Sequence, residues 1–195
     1  MFESRSALAA YAGAGRKPAA VEGPQLRIAE IRGWQLAQLT AWRAAREEFT
    51  RRLAAAFGAA PPEQLCHGIT HGAVHLVRLT RDQYWWVSAE AAGMEPLRST
   101  LPGTCGALTE LTDARVRLGV SGSGARELLS AGIALDLHPA VFIVGQGAQT
   151  GLHHTGIFLE RVAEDGYELY VPRTFAATIW EFLVDAALPH GVKPA

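Results

Sequence analysis

The chain has 195 residues, 49% of them apolar and 19% charged, a globular composition that excludes a mostly disordered chain. Its length suits one domain or two small lobes, with enough core to fold without disulfides or metals. Eighteen basic residues nearly cancel nineteen acidic ones, so no net field steers it onto nucleic acid or an anionic membrane, and no apolar run approaches the ~20 residues of a membrane helix.

Residues 1–24 hold Gly13, Gly15, Pro18, Gly23 and Pro24 and few large apolar groups, so they read as an N-terminal arm, mobile or laid across a partner. The opening lacks the positive start and apolar centre of a secretory signal. With Cys66 and Cys105 read as free thiols, it points to a cytoplasmic protein, a cleaved signal being the alternative. Residues 25–189 are expected to form a single α+β domain of two sub-lobes, about 25–100 and 101–189. Leu26, Ile28 and Ile31 suggest a strand broken at Gly33, and Trp34, Leu36 and Leu39 another. A helix is predicted from about Ala41 to Phe57, capped by Thr40, with Trp42, Ala45, Phe49, Leu53 and Phe57 on one face and a stop at Gly58. Arg43, Arg46, Arg51 and Arg52 beside Glu47 and Glu48 make its other face solvated or partner-facing.

Residues 73–79 alternate as a strand, a turn follows at Thr80–Gln83, and Tyr84–Ser88 is a second strand. Residues 93–106, with Gly93, Pro96, Pro102, Gly103 and Gly106, read as a lobe boundary or crossover loop. Arg115–Val120 is a strand and Ala125–Ala131 a helix capped by Ser123. Ile133–Leu137 is extended, and 152–162 with 167–171 form a hairpin turning at Asp165-Gly166. The last helix begins at Thr174, with a stripe of Phe175, Ile179, Phe182, Leu183 and Ala186. Strands and helices interleave without a βαβ rhythm, which favours α+β with largely antiparallel sheets and packed helices.

Several motifs carry candidate chemistry. Gly145, Gly147 and Gly151 miss the dinucleotide spacing and precede a strand; Gly122 and Gly124 precede a helix, but Glu127 stands where the third glycine belongs. Cys66, His67, His71 and His75 would suit a metal on a helix, but on a strand residues four apart lie roughly 13 Å from one another. His153 and His154 point oppositely if extended. Cys105 is a conceivable nucleophile of a Cys-dependent hydrolase, without a helix N-terminus to activate it. Glu160, Glu164, Asp165 and Glu168 cluster at the hairpin tip, where solvation explains them. No catalytic, cofactor-binding or metal residue is therefore assigned. The five tryptophans are more telling: Trp85 and Trp86 must face opposite sides of a strand, and Trp180 lies off its helix's stripe. Trp85, Trp86 and Trp180 are read as interface anchors, which suggests a subunit rather than a lone catalyst.

The last part of the chain adds a resemblance. Ser121-Gly122 precedes the helix at Ala125-Arg126-Glu127-Leu128-Leu129; Asp136-Leu137-His138-Pro139, Phe142, Gly145 and Gln149-Thr150 follow, then Arg173-Thr174-Phe175-Ala176-Ala177. Over roughly 111–188 this order resembles the gamma subunits of heterotetrameric sarcosine oxidases, with Thr174 where the family often has Ser. The resemblance implies a fold like the folate-binding region of the glycine-cleavage aminomethyltransferases, with a ferredoxin-like lobe. It implies assembly with alpha, beta and delta subunits that demethylate sarcosine to glycine and hydrogen peroxide, releasing formaldehyde or methylenetetrahydrofolate. FAD, FMN, NAD, tetrahydrofolate and zinc would then belong to the partner subunits, and this chain would be non-catalytic and contact alpha. The alternative is a folate-binding one-carbon transferase-like protein, for which Arg173 and Tyr170 are candidate folate contacts, with helix capping or packing as the competing reading.

Overall fold

Alternating apolar residues build eleven strands among the described residues, which are 6–12, 19–89 and 94–192 of the computed structural model. In chain order they are β1 (Ala20–Gly23), β2 (Leu26–Ile31), β3 (Trp34–Ala41), β4 (His67–His71), β5 (Val74–Arg78), β6 (Gln83–Ala89), β7 (Gly106–Glu110), β8 (Arg115–Ser121), β9 (Gly147–Leu152), β10 (Thr155–Ala163) and β11 (Gly166–Pro172). The helices are α1 (Arg46–Phe57), α2 (Glu95–Thr100), α3 (Ala125–Ser130) and α4 (Ala176–Ala187). The fold is α+β, with two sheets in which every paired strand runs antiparallel, as the residue pattern predicts. Among the described residues no helix is long and apolar enough to cross a membrane.

The chain divides into two compact units, Met1–Arg32 with Asp113–Ala195, and Gly33–Thr112. The division differs from the expected sub-lobes of 25–100 and 101–189. β2 pairs with β8, so the N-terminal segment belongs with the C-terminal half, and β7 pairs with β3, which keeps 106–110 in the middle unit.

In the first unit the sheet order is β1-β2-β8-β11-β10-β9. One face, carrying Ile28, Val116, Leu118, Val120, Ile157, Leu159, Leu169 and Val171, packs with α3 and α4 in one core. The expected loose arm is corrected where it is described. Leu8 and Ala19 are fully buried, β1 pairs with β2, and the Tyr11 hydroxyl donates to Glu181 on α4. Residues 1–5 and 13–18 of that arm, and Gly93 of the expected crossover, lie outside the described residues. In α4 the buried residues are Ala176, Ile179, Trp180, Leu183 and Ala187, so the stripe is rotated from the predicted one and Phe175 is exposed.

In the second unit the order is β4-β5-β6-β3-β7, and one face packs with α1 and α2 through Ala37, Leu39, Leu76, Tyr84 and Trp86 against Phe49, Leu53, Phe57 and Leu97. β3 runs on through Thr40 and Ala41 because it pairs with both β6 and β7. Helix α1 therefore starts at Arg46, Thr40 is no cap, and Trp42 precedes the helix instead of lining its core face. Gly58 ends α1 in the left-handed region as predicted. α2 replaces part of the expected 93–106 loop, and β4 adds a hairpin with β5 that the glycines at 68 and 72 concealed.

Two turns expose backbone constraints. Gly122 has φ +112°, and a Cβ there would sit 2.3 Å from the Gln25 carbonyl oxygen. The β9–β10 turn places His153 and His154 at positive φ (45° and 66°), splitting the stretch expected as one strand from 152. His153 stacks on Phe182 at 4.9 Å, while His154 is exposed. Gly122→Ala is expected to lose about 2–4 kcal/mol in urea unfolding through clash and strain. His154→Gly is expected to gain up to about 1 kcal/mol, because a side chain at positive φ is strained.

Candidate functional site

Strand alternation gives the six-stranded sheet a second face, and that face is polar. Arg117 lies on β8, Glu168 and Tyr170 on β11, and Phe158 and Glu160 on β10. Their register is explicit: Tyr170 lies opposite Arg117 on one side and Phe158 on the other, and Glu168 lies opposite Glu160. The β10–β11 turn sets this register. It comprises Glu164 and Asp165, not Asp165-Gly166, and β10 carries a bulge between Arg161 and Ala163. A bulge shifts pairing by one residue, and here it brings two carboxylates directly across from one another.

Glu160 is fully buried and Tyr170 likewise, which corrects the expectation of solvated carboxylates at the hairpin tip; only Glu164 and Asp165 are exposed there. Like charges opposite each other on a sheet repel. Arg117 offsets this: its Nε donates to Glu168 Oε2 at 2.7 Å, its terminal nitrogen lies 2.6 Å from the same oxygen, and its guanidinium sits 5.6 Å over the Tyr170 ring. The Tyr170 hydroxyl donates to Glu168 Oε2 at 3.3 Å. Burial works against the Arg117 charge, but Tyr170, Glu168 and Glu160 together hold its pKa above the ordinary value. Burial pushes the Tyr170 phenol well above 10.0. Glycine makes room for the aromatic part of this face: the Phe158 ring occupies the space of a Cβ on Gly147, at 2.3 Å.

The other candidates resolve differently. Trp85, Trp86 and Trp180 are 3%, 4% and 2% exposed, so none offers a free indole face as an interface anchor would. Trp86 meets Phe57 edge-on inside its unit, and Trp180 packs in the α4 core beside Tyr11. The exposed indole is Trp42, at 46%. His67, His71 and His75 lie on the β4–β5 hairpin; His71 packs on Phe57 and His75 bonds Thr70, and among the described residues no group of three potential metal ligands converges. Cys105 is buried, its thiol donating to the Pro102 carbonyl, and a strand follows it. At Gly122 and Gly124 the backbone N–H groups donate to the Asp165 and Gln25 carbonyls, which takes them from any phosphate. α3 starts at Ala125 with Gly124 at its N-cap, and Ser123 supplies no side-chain cap. Ile133–Leu137 forms no strand. Arg173 opens a short 3-10 turn before α4, and Tyr170, the other folate candidate, belongs to the polar face.

The arrangement can neutralise, orient and accept hydrogen bonds within a buried sheet face. Arg117→Met would leave Glu168 opposite Glu160 without the guanidinium that pairs with it. We expect a loss of roughly 3–5 kcal/mol at neutral pH by urea unfolding, partly restored by adding Glu168→Gln. Because the Tyr170 pKa is raised in the folded state, its contribution is complete below pH 10 and fades as the pH rises above it. Tyr170→Phe should cost about 1 kcal/mol at pH 7 through the lost hydrogen bond, and should flatten the alkaline fall in stability measured by chemical unfolding.

Comparison with known proteins places this geometry. The model of the GCVT N-terminal domain matches residues 65–195. Aminomethyltransferases of Thermoanaerobacter sp. and Caldanaerobacter subterraneus are 25% identical over 130 residues and 29% over 94, covering 62% and 45% of this chain. The chain spans about a third or less of the length of these relatives, 34% and 24%. In structure, a chain of heterotetrameric sarcosine oxidase from Corynebacterium sp. U-96, in complex with pyrrole 2-carboxylate, superposes with a TM-score of 0.81 at 24% identity, covering 95% of both chains. Glycine cleavage system aminomethyltransferase T from Bartonella henselae gives 0.61 at 20% identity, covering 80% of this chain and 44% of that one.

Proposed function

The chain belongs to the GCVT N-terminal domain family, and from that premise we propose that it serves as the non-catalytic, gamma-type subunit of a heterotetrameric flavin-dependent sarcosine oxidase. The observation that carries the reading is mutual coverage. The fold is shared over 95% of both chains with a chain of that oxidase, but over 44% of the glycine cleavage aminomethyltransferase. In this reading the chain contacts the alpha subunit in the cytoplasm, and FAD, FMN, NAD and zinc reside in the partner chains. The buried face supports a holding role, since Arg117, Glu168 and Tyr170 bond one another.

A second reading, folate binding for one-carbon transfer, is favoured by Glu160, a fully buried carboxylate on that face. A pterin presents an edge of N–H donors that such a carboxylate can accept. The fit is partial, because both carboxylates of this face are already engaged, Glu168 by Arg117 and Tyr170.

Co-expression with the alpha, beta and delta chains from the same genome tests the first reading. The chain is expected to co-elute with flavin absorbance on size exclusion, and the chain alone to release no sarcosine-dependent hydrogen peroxide. A separate elution, or peroxide release by the chain alone, would overturn it. Calorimetric titration of the isolated chain with tetrahydrofolate tests the second: no heat removes it, while binding abolished by Glu160→Gln supports it.

A further inference from the structure

One end of the five-stranded sheet gathers chemistry that neither reading uses. Four segments meet there: 42–46 after β3, 63–66 before β4, 78–82 between β5 and β6, and 103–105 before β7. They carry Arg43, Arg46, Arg78 and Arg81 against Asp82 and Glu63, a local surplus of positive charge on a chain whose formal net charge is −1. The same segments carry two exposed apolar side chains, Trp42 at 46% and Leu65 at 57%.

The four arginines divide into two pairs. Arg46 is hydrogen-bonded to Asp82, and Arg78 braces the turn by donating to the carbonyls of Glu63, Thr80 and Arg81 while lying 5.7 Å over the Tyr84 ring. Arg43 and Arg81 are exposed, and among the described residues neither side chain takes part in an ion pair, although both charges act with Arg46 to lower the pKa of Asp82. Asp82 is thus already satisfied by Arg46, and the two outer guanidiniums are left for an external anion.

We propose that this sheet end is a docking surface for an acidic segment of a larger protein chain, with Arg43 and Arg81 taking its carboxylates and Trp42 and Leu65 covering its apolar side chains. Charge complementarity selects the acid. The leucine selects a protein: a base can stack on the indole, but neither a free anion nor a nucleic acid gains from covering an exposed aliphatic side chain. Trp42 is set for this role. Its Nε1–H donates to the Gly103 carbonyl at 2.8 Å and its backbone N–H to the Cys105 carbonyl at 2.9 Å, so little rotamer freedom remains to be lost on binding. Tryptophan and arginine are also the residues that most often dominate interface energetics.

The inference rests on the subunit reading in taking the partner to be a chain of the same assembly. The test uses that co-expressed assembly, with wild type, Arg43→Glu/Arg81→Glu, Arg43→Gln/Arg81→Gln and Trp42→Ala compared at 50 and 300 mM salt. The charge reversal is expected to weaken association at least tenfold and remove most of its salt dependence. The glutamine pair should do so less, and Trp42→Ala should weaken association about tenfold with its salt dependence kept, all with melting temperatures near wild type. If wild type assembles and these variants assemble equally well, the docking surface is wrong while the subunit reading stands. If wild type does not assemble, both fall. If Arg43 and Arg81 instead govern binding of inorganic phosphate or a DNA oligomer, and assembly ignores them, the docking proposal fails.

Discussion

Two carboxylates set opposite each other on a buried sheet face repel, and Arg117 offsets this by pairing directly with Glu168 and acting on Glu160 through its charge. The constraint runs outward through the fold. Arg117 can reach Glu168 only because β8 pairs with β11, and Glu168 meets Glu160 only because the bulge in β10 shifts the hairpin register. The opposite face of the same strands is apolar and packs with α3 and α4. A one-residue slip would therefore exchange charge for hydrocarbon on both faces at once, so the register is held by two penalties of different kinds.

The aromatic residues obey a related logic. Tyr84, Trp85, Trp86 and Val87 are all buried along β6, so both faces of that strand are covered. Large rings inside a sheet contribute area and shape to the core, and their presence in a sequence says nothing by itself about a partner. Trp42 is the contrast. Its backbone and indole are held by hydrogen bonds, yet nearly half its surface stays in water.

How much of this was legible in the sequence follows from the range of the interactions. The α+β class, the strands at β2, β5, β6, β8 and β11, the stop at Gly58 and the C-terminal helix are written in local alternation and turn residues. The start of α1 is not, because Thr40 and Ala41 are kept extended by pairing with β6 and with β7, more than sixty residues downstream. Reading the helix early put Trp42 in phase with Phe49 and so in the core, and left Trp85, Trp86 and Trp180 as the surplus; the burial is the reverse. The polar face was hidden for a comparable reason. Arg117 between Val116 and Leu118, and Glu168 between Tyr167 and Leu169, do show alternation. Only the bulge, which no local pattern announces, makes Glu160 their partner rather than a solvated tip residue.

Nearly all of the eighteen basic residues are arginine, and the structure shows two uses for which lysine would not serve equally, to which the proposed docking surface adds a third. At Arg117 the planar fork meets one carboxylate while its face lies over a tyrosine ring. At Arg161, 4% exposed, the same fork is spent on backbone: it donates to the carbonyls of Phe142 and Glu164, at 2.8 Å and 2.5 Å, fixing the 138–146 segment to the end of β10. A compact ammonium could not satisfy carbonyls on two separate segments from one buried position. At Arg43 and Arg81 the group stays in water, and there its weaker hydration matters, since a guanidinium gives up its solvent to an incoming carboxylate more readily than an ammonium does. Burial thus sorts one side-chain type into charge compensation, backbone bracing and a surface poised to lose its water.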